Sequence, residues 1–334
     1  MSLPPGKIEP RLLEDLLSRY RTPDASVVIG PRIGEDAAAI DLGDRYLLLT
    51  TDPITFTHDR IGWYAVHVNA NDIAAMGGTP RYFLSTLLLP ERQANESMVE
   101  RIFAEISETC RELGCSMVGG HTEVTQGLDR PIVAGAMVGE VARDRLVTSS
   151  GALPGDMLIQ ARGIAIEATA ILAREKAREI AGRFGTDFQE RSAGFLTKPG
   201  LSVVAASRAA CSTGEIHAMH DPTEGGIANA LWELAEASRV GILVVESEIP
   251  RYWESAVLAE HFAFELLGAI SSGTLLMTAA EPGTTRVLEA LADAGIEAHV
   301  IGRVLGADQG VKMLRGRQRI DLPRFDADEL TRIL

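Results

Sequence analysis

From Ile61 to about Met76 the chain reads as a largely apolar helix that carries Asn69, Asn71 and Asp72, and it is stopped by Gly77-Gly78 and Pro80. A carboxylate inside an apolar helix costs free energy unless something pairs with it. Any fold this chain adopts must therefore bring a partner or a ligand to Asp72. Three further acidic clusters lie in the first half, each where a β-like run meets a turn or a helix. Glu35 and Asp36, in Ile33-Gly34-Glu35-Asp36-Ala37-Ala38-Ala39-Ile40, stand just before a small-residue strand. Asp52, in Thr50-Thr51-Asp52-Pro53, ends an apolar strand and is locked before a proline, and Gly119-Gly120-His121-Thr122-Glu123 follows another strand. None of the four reads as a solvated charge run.

The 334 residues predict two domains. A first helix spans Glu9 to Arg19, followed by short strands at Ser26–Ile29, Ala37–Ile40 and Tyr46–Thr51. After the helix at Ile61 come a strand at Tyr82–Leu89 and an amphipathic helix at Glu96–Leu113, with Met98, Ile102 and Ile106 on one face. Strands at Ser116–Val118 and Ile132–Val141 follow. Small residues, Pro and Gly from Ser149 to Asp156 mark a boundary, giving domains 1–150 and 151–334. The second half continues with strand Met157–Gln160, helices Ile164–Arg183 and Leu201–Ser212, strand Ile216–Met219, helix Gly225–Arg239 and strand Ile242–Val245. It closes with strand Thr274–Ala279, helix Thr284–Ala294 and a strand around Ala298–Val304. The class is mixed α/β, as two units of similar size.

Acidic residues outnumber basic ones by 46 to 32, a net charge of −14 with no Lys/Arg cluster. That argues against binding a nucleic-acid backbone or an anionic membrane surface, though not against small phosphorylated ligands. Cys110, Cys115 and Cys211 show no paired metal spacing, and Cys110 and Cys115, flanking a helix end, read as small buried hydrophobes. No apolar run reaches membrane-spanning length and the N-terminus is Pro-rich and charged, so the expectation is a soluble, cytoplasmic protein. Phosphate loops of the G-x-x-x-x-G-K-[ST] and G-x-G-x-x-G kinds are absent, as are H-E-x-x-H and G-x-S-x-G.

Mg²⁺ bound with a nucleotide is held by one or more carboxylates plus phosphate oxygens, a role that suits Asp52 and Asp72. The plainer readings are that Asp36 caps a turn, Asp52 caps a helix start and Asp72 pairs with a buried arginine. His121, without a second histidine at fixed spacing, is a weak ligand. In the second half, His220-Asp221-Pro222-Thr223-Glu224-Gly225-Gly226-Ile227 joins a strand to a helix, with glycines allowing close backbone approach at a positive helix end. That geometry suits an anionic substrate or phosphate; it also suits a plain helix cap. Gly268-Ala269-Ile270-Ser271-Ser272-Gly273-Thr274 is a second small-residue loop able to contact the same ligand, or simply a turn.

Taken in order, Gly34-Glu35-Asp36-Ala37-Ala38, Thr50-Thr51-Asp52, Asn71-Asp72-Ile73-Ala74-Ala75-Met76-Gly77, Gly119-Gly120-His121-Thr122-Glu123, Leu153-Pro154-Gly155-Asp156 and Asp221-Pro222-Thr223-Glu224-Gly225-Gly226 resemble the aminoimidazole-ribonucleotide synthetase (PurM-like) superfamily. Thiamine-monophosphate kinase, selenophosphate synthetase and the hydrogenase maturation factor HypE belong to it, and the Asp-Pro-Thr-x-Gly-Gly and Ile-Ser-Ser-Gly-Thr stretches look closest to HypE. The resemblance implies two α/β domains and a homodimer built on a β-barrel from paired N-terminal sheets. It implies ATP held with Mg²⁺, the metal by Asp36, Asp52, Asp72 and Glu123, the nucleotide by Glu35, Asp36, Thr51, Asn71, Gly119, Gly120 and Thr122. Asp52, Asp72 and Asp221 would be catalytic, and Thr223, Glu224, Gly225, Gly226, Ser271 and Ser272 would bind substrate. The implied reaction is phosphoryl transfer from ATP to an oxygen or other nucleophile, done largely by positioning and charge neutralisation.

Departures from that pattern bear on function. HypE proteins end in Pro-Arg-Ile-Cys, whereas this sequence ends Thr331-Arg332-Ile333-Leu334, without the thiol that HypE chemistry modifies. Glu224 stands where HypE carries a basic residue, and His121 where much of the superfamily has an acid. Only Gly6-Lys7 remains of the glycine-rich N-terminal nucleotide loop. The first expectation is an ATP-dependent activator of a small metabolite or of a carboxamide or carboxylate group. Alternatives are a non-catalytic, nucleotide-responsive accessory protein in hydrogenase or metalloenzyme maturation, possessing a maturation protein as partner, and a thiamine-monophosphate kinase-like enzyme.

Overall fold

The computed structural model describes residues 8–32, 34–55 and 57–334, so Gly6-Lys7 and Ile33 lie outside the described residues. Contacts divide the chain into two compact units, one made of Asp24–Gly30 and Ala37–Leu146, the other of the N-terminal residues up to Pro23, Pro31–Asp36 and Val147–Leu334. The sequence places residues 31–36 with the first domain; in the structure Glu35 and Asp36 bond to Ser149 and His220, which ties them to the second unit.

In chain order the elements begin with α1 (Pro10–Tyr20), β1 (Val27–Ile29), β2 (Ala38–Asp41), β3 (Arg45–Ile54), α2 (Ile61–Ala75), β4 (Thr79–Pro90), α3 (Glu96–Leu113), β5 (Ser116–Thr125) and β6 (Ile132–Ala142). The strands form a six-stranded sheet in the order β1-β2-β3-β6-β4-β5, antiparallel except for the parallel pair β4–β5. All fifteen residues of α2 are buried, packed by β3, β4 and β6 and by α3. The close approach depends on β6: a Cβ on Gly135 would lie 2.4 Å from Asn69 Nδ2, and one on Gly139 would lie 2.2 Å from Ile73 Cγ2. α3 starts where the Asn95 side chain accepts from Met98 N–H at 2.9 Å and stops at Gly114 in the left-handed conformation. Its Ile102, Ile106 and Cys110 are buried, the face period expected from sequence.

β5 is longer than its sequence signal. It runs on through Gly119-Gly120-His121-Thr122-Glu123, which sequence reading places after the strand. Two glycines interrupt the β-propensity there, but the backbone needs them. The register with β4 shifts at Phe83/Leu84, and a Cβ on Gly120 (φ 148°) would meet the Ser85 carbonyl oxygen at 2.0 Å.

The second unit continues with β7 (Met157–Ala161), α4 (Ile166–Glu175), α5 (Ala177–Phe184), α6 (Thr186–Ala193), α7 (Val204–Ser212), β8 (Ile216–His220), α8 (Gly226–Ser238), β9 (Gly241–Val245), α9 (Trp253–Phe262), β10 (Leu275–Ala279), α10 (Glu281–Asp293), β11 (Ala298–Leu305), β12 (Val311–Arg315) and β13 (Gln318–Asp321). Its seven strands run β13-β12-β9-β11-β7-β10-β8, with only β12–β9 parallel. The single helix expected over 164–183 is two. At Lys176 (φ −107°, ψ 27°) the chain leaves helical geometry, passing from α4, most of which is buried, to α5, where only Ile180 is. The helix expected from Leu201 begins at Val204, because Arg162 Nη1 donates to the carbonyls of Gly200 and Ser202, both at 2.8 Å, and holds that entry open. Among the described residues no helix is long and apolar enough to cross a membrane.

Candidate functional site

In the first unit, α2 and β3 place the acids. Asp72 is 6% exposed, and the Thr50 hydroxyl donates to its Oδ2 at 2.6 Å. A hydrogen bond to a charged group contributes about 1.5–3 kcal/mol. The sequence leaves open a buried arginine as its partner; the structure supplies a strand hydroxyl. Asp52, two residues along β3, is half-buried and lies opposite Gly135 of β6. Its N–H donates to Asn69 Oδ1 at 2.9 Å, while Asn69 Nδ2 donates to the Asp52 carbonyl at 3.2 Å and to the Ala65 carbonyl at 2.8 Å. Asn69 therefore reads β3 as a backbone partner would, and it fixes where the Asp52 side chain leaves the strand. The neighbouring Thr51 hydroxyl donates to the Gly135 carbonyl at 2.7 Å, and Asn71 is buried in α2.

Gly119, Gly120, Thr122 and Glu123 share the exposed strand β5, where Glu123 Oε2 sits 3.0 Å from His121 Nε2 on the surface. Among the described residues no three His, Cys, Asp or Glu side chains are arranged to hold a metal ion. Asp52 and Asp72 do offer the hard oxygen donors that fit Mg²⁺ when the ion arrives with phosphate oxygens of its own. A self-contained protein cage is not what they form.

In the second unit, Glu35 and Asp36 enter a buried polar network. Asp36 Oδ1 lies 2.8 Å from His220 Nδ1, and His220 Nε2 lies 2.9 Å from Glu233 Oε2. The Ser149 hydroxyl donates to Asp36 Oδ2 at 3.2 Å, and Ser149 N–H donates to Glu35 Oε2 at 3.1 Å. Burial alone would deprotonate His220, but the Asp36 and Glu233 carboxylates on either side raise its pKa well above the usual value. Burial also raises the pKa of Glu35. Sequence reading groups Asp36 with Asp52 and Asp72 as metal ligands; here both of its oxygens are engaged by His220 and Ser149.

The substrate-type loop lies directly after His220. Asp221 is buried, Thr223 and Glu224 are half-buried, and Gly225 (φ 79°) and Gly226 (φ 63°) turn the chain into α8. Only glycine fits at 226, where a Cβ would stand 2.5 Å from the Leu267 carbonyl and 2.6 Å from that of Ala269. The second small-residue loop thus packs on the first. Its Ser271 Oγ accepts from Ala165 N–H at 2.9 Å, and the Ile270 carbonyl accepts from Ala168 N–H at 3.2 Å, so the loop is clamped between the starts of α8 and α4. The expectation of an anion at the α8 N-terminus meets a competitor. Gly225 N–H donates to Asp328 Oδ2 at 2.9 Å and Gly226 N–H to the Thr223 carbonyl at 3.0 Å, so the chain's own carboxylate occupies that position.

Sequence reading passes over Ser149, Glu233, Glu167 and Asp328. Glu167 carried a usable signal, the same as that of Asp72: an acid in the apolar run Ile164-Ala165-Ile166-Glu167-Ala168. Asp328 had none, being one acid among several near the C-terminal end.

Residues 34–141 match the family described as AIR synthase related protein, N-terminal domain, and residues 154–314 match its C-terminal domain. A Methanocaldococcus jannaschii protein assigned by name to hydrogenase expression and formation is 30% identical over 331 residues, covering 96% of this chain and 95% of that protein. Carbamoyl dehydratase HypE of Rhizobium leguminosarum bv. viciae is 31% identical over 286 residues, covering 83% of this chain and 79% of that protein. A solved structure of HypE in complex with ATP has the same fold, with a TM-score of 0.72 at 22% identity, covering 94% of this chain and 90% of that one. Both domains of the family are matched in order and a relative aligns almost end to end, so this chain belongs to the AIR synthase related proteins, near HypE.

Proposed function

We propose that this protein binds ATP with Mg²⁺ and transfers a phosphoryl group to a nucleophilic atom of a small-molecule acceptor. The observation that carries the reading is the pinning of two acids at one place. Asp72, buried in α2, is oriented by the Thr50 hydroxyl, and Asn69 of the same helix fixes the backbone of Asp52. Mg²⁺, when bound there with ATP, would neutralise phosphate charge and make the terminal phosphorus a better electrophile. The chain's own part is orientation. The Thr50 hydroxyl orients the Asp72 carboxylate, and Asn69 holds the Asp52 backbone in place on β3. The acceptor oxygen or other nucleophile forms a bond to phosphorus as the bond to the nucleotide's bridging oxygen breaks, and the acceptor's proton leaves to a base. The loop bearing Asp221 and Thr223 is the acceptor's site in this reading. The HypE relative, and the ATP complex of HypE, support the nucleotide.

Calorimetric titration with ATP, with and without Mg²⁺, tests the reading on the protein beside Asp52→Asn and Asp72→Asn. Mg²⁺-dependent binding that weakens at least tenfold in both variants is the expected result, a loss of about 1.4 kcal/mol or more. Absence of binding at millimolar ATP by the folded protein would overturn it.

A second reading, a nucleotide-responsive accessory protein of hydrogenase maturation, is favoured by the name of the Methanocaldococcus relative. ATP binding without turnover would select it. In either case a second copy of the chain is the proposed partner of β5, an edge strand exposed along nearly its whole length with Met117, Val118 and Val124 uncovered. Light scattering of the protein against Val118→Lys tests that pairing: a dimer converted to monomer is expected.

A further inference from the structure

We propose that Cys110 and Cys115 are a modification site, converted by a small hydroperoxide to a disulfide across the C-terminal cap of α3 and reopened by a thiol reductant. The inference is independent of the nucleotide reading.

The backbone brings the two residues together. Cys110 lies in the last turn of α3, and Cys115 is the residue immediately before β5. Between them Gly114 takes the left-handed conformation, with φ 71°. Its N–H donates to the Arg111 carbonyl at 3.3 Å, while the Cys115 N–H donates to the Cys110 carbonyl at 2.9 Å. This pair of bonds is a Schellman cap, in which the chain folds back on the last turn and the side chains at the positions of Cys110 and Cys115 meet. In other proteins that contact is commonly between two hydrophobes. Here both members are free thiols, and the Cys110 thiol donates a hydrogen bond to the Cys115 sulfur.

The shared bond gives the two sulfurs different roles. Accepting it holds the Cys115 thiol below its ordinary value; donating it, with burial added, pushes Cys110 up. The thiolate is the reactive form, so Cys115 is the attacking sulfur and Cys110 the resolving one. Cys110 and Cys115 are only 3% and 8% exposed. Bulky disulfide reagents are therefore kept out, and the oxidant has to be small. Opening of a helix's last turn, the part that frays most readily, admits a peroxide without unfolding the unit.

Cys115 Sγ attacks one peroxide oxygen; an S–O bond forms, the O–O bond breaks, and the departing oxygen leaves as water or an alcohol after taking up a proton. Cys110 Sγ then attacks the sulfenic sulfur of Cys115. The S–S bond forms, the S–O bond breaks, and the hydroxyl leaves as water with the Cys110 proton. Two electrons pass from the thiols to the peroxide. A dithiol reverses the change by exchange, taking the same two electrons' worth of oxidation onto its own sulfurs.

Cys211 is the internal comparison. It lies on α7 in the other unit, where its sulfur has the Ser207 hydroxyl at 3.9 Å and the Met219 sulfur at 4.0 Å as neighbours.

The test is treatment of the whole folded protein with hydrogen peroxide, followed by blocking of remaining thiols, trypsin cleavage and mass spectrometry. Trypsin cuts after Arg111, so Cys110 falls in the peptide of residues 102–111 and Cys115 in the peptide that starts at 112. A disulfide holds those two peptides together, lighter by two hydrogen atoms than their sum. The expected result is that this linked species forms in the native protein, ahead of oxidation at Cys211, and that dithiothreitol separates it. Cys110→Ala should leave a Cys115 sulfenic acid that dimedone captures, and Cys115→Ala should slow oxidation at position 110 about tenfold. If either variant fails to fold, the linked peptide in the parent still decides. The inference is overturned if both thiols survive millimolar peroxide in the folded protein, if the link appears only after unfolding in urea, or if Cys115 proceeds to sulfinic acid with no linked peptide. Equal oxidation rates in the two single variants would overturn the assignment of attacking and resolving sulfurs.

Discussion

Asp36 and His220 form a buried ion pair, Oδ1 to Nδ1 at 2.8 Å, with side chains 7% and 6% exposed. The pair joins the first acidic cluster of the sequence to the residue just ahead of the Asp221 loop, so that loop is anchored from its N-terminal side by a group far away in sequence. Removing one partner of a buried pair leaves an uncompensated charge. Asp36→Asn should therefore lower stability by about 3–5 kcal/mol, measured by urea unfolding. The double variant Asp36→Asn with His220→Gln should recover part of that loss, because the Asp36–His220 pair is then removed as a unit and Glu233, which loses His220 as its partner, is partly open to water; a double-mutant cycle that came out additive would mean that the two do not interact.

The Thr50–Asp72 bond makes a separable prediction. Thr50→Val keeps the shape of the strand and removes the Thr50 hydroxyl bond to Asp72, at a cost of about 1.5–3 kcal/mol in stability. Nucleotide binding should weaken less in Thr50→Val than in Asp72→Asn, since the first variant loosens an acid that the second removes. Equal losses in the two titrations would place the importance of the site in the hydroxyl.

Glu167 sets a pH dependence with a definite sign. Its folded pKa is raised from 4.5 to about 7, so its contribution to stability is fully present below pH 4.5 and is lost as pH rises through about 7. Glu167→Gln should thus be more stable than the unliganded parent at alkaline pH, by on the order of 3 kcal/mol, with the difference shrinking as pH falls. Thermal unfolding of both proteins across that range checks it. A parent more stable than the variant at alkaline pH would mean that Glu167 has an unrecognised cationic partner.

Much of the architecture was legible because apolar period and punctuation agree. The Ile61 helix, the amphipathic helix at Glu96 and the strands at Ala298 and Ile132 all fall within a residue or so of their expected limits. The misses have physical causes. α6 and α9 are short, the latter after a proline-bounded turn, and β12 and β13 carry Lys312, Arg315, Gln318 and Arg319 on a sheet edge where polar side chains are tolerated. At the site, the acids of α2 and β3 announced themselves because a charge among apolar residues needs a reason. Ser149 and Asp328 did not, since a serine in a boundary loop and an acid in a polar tail look like ordinary surface until the fold buries them.

Gly226 is the position where the two small-residue loops meet, and it admits no side chain. Gly226→Ala would set a methyl group against two carbonyl oxygens from a left-handed backbone, so it should cost at least about 2 kcal/mol and move the loop. The same substitution at Gly214, also left-handed but with nothing within 4 Å of a Cβ, should cost less. Comparing the two by thermal unfolding separates backbone strain from the clash.

The place of β6 in its sheet also orders events during synthesis. β6 is the last strand of its unit to be made, yet it lies between β3 and β4 and pairs with both, setting Gly135 opposite Asp52. Until residues 132–142 have emerged, β3 and β4 are open edges, and Asn69 and Ile73 lack the glycine strand against which they pack. Local pairing of β2 with β3 forms early, whereas closure of the sheet waits on contacts of long sequence separation, the slow class of folding step. The acids at Asp52 and Asp72 are consequently positioned at the end of folding of this unit, and a nascent chain arrested before β6 would expose two apolar strand edges instead of a ligand site.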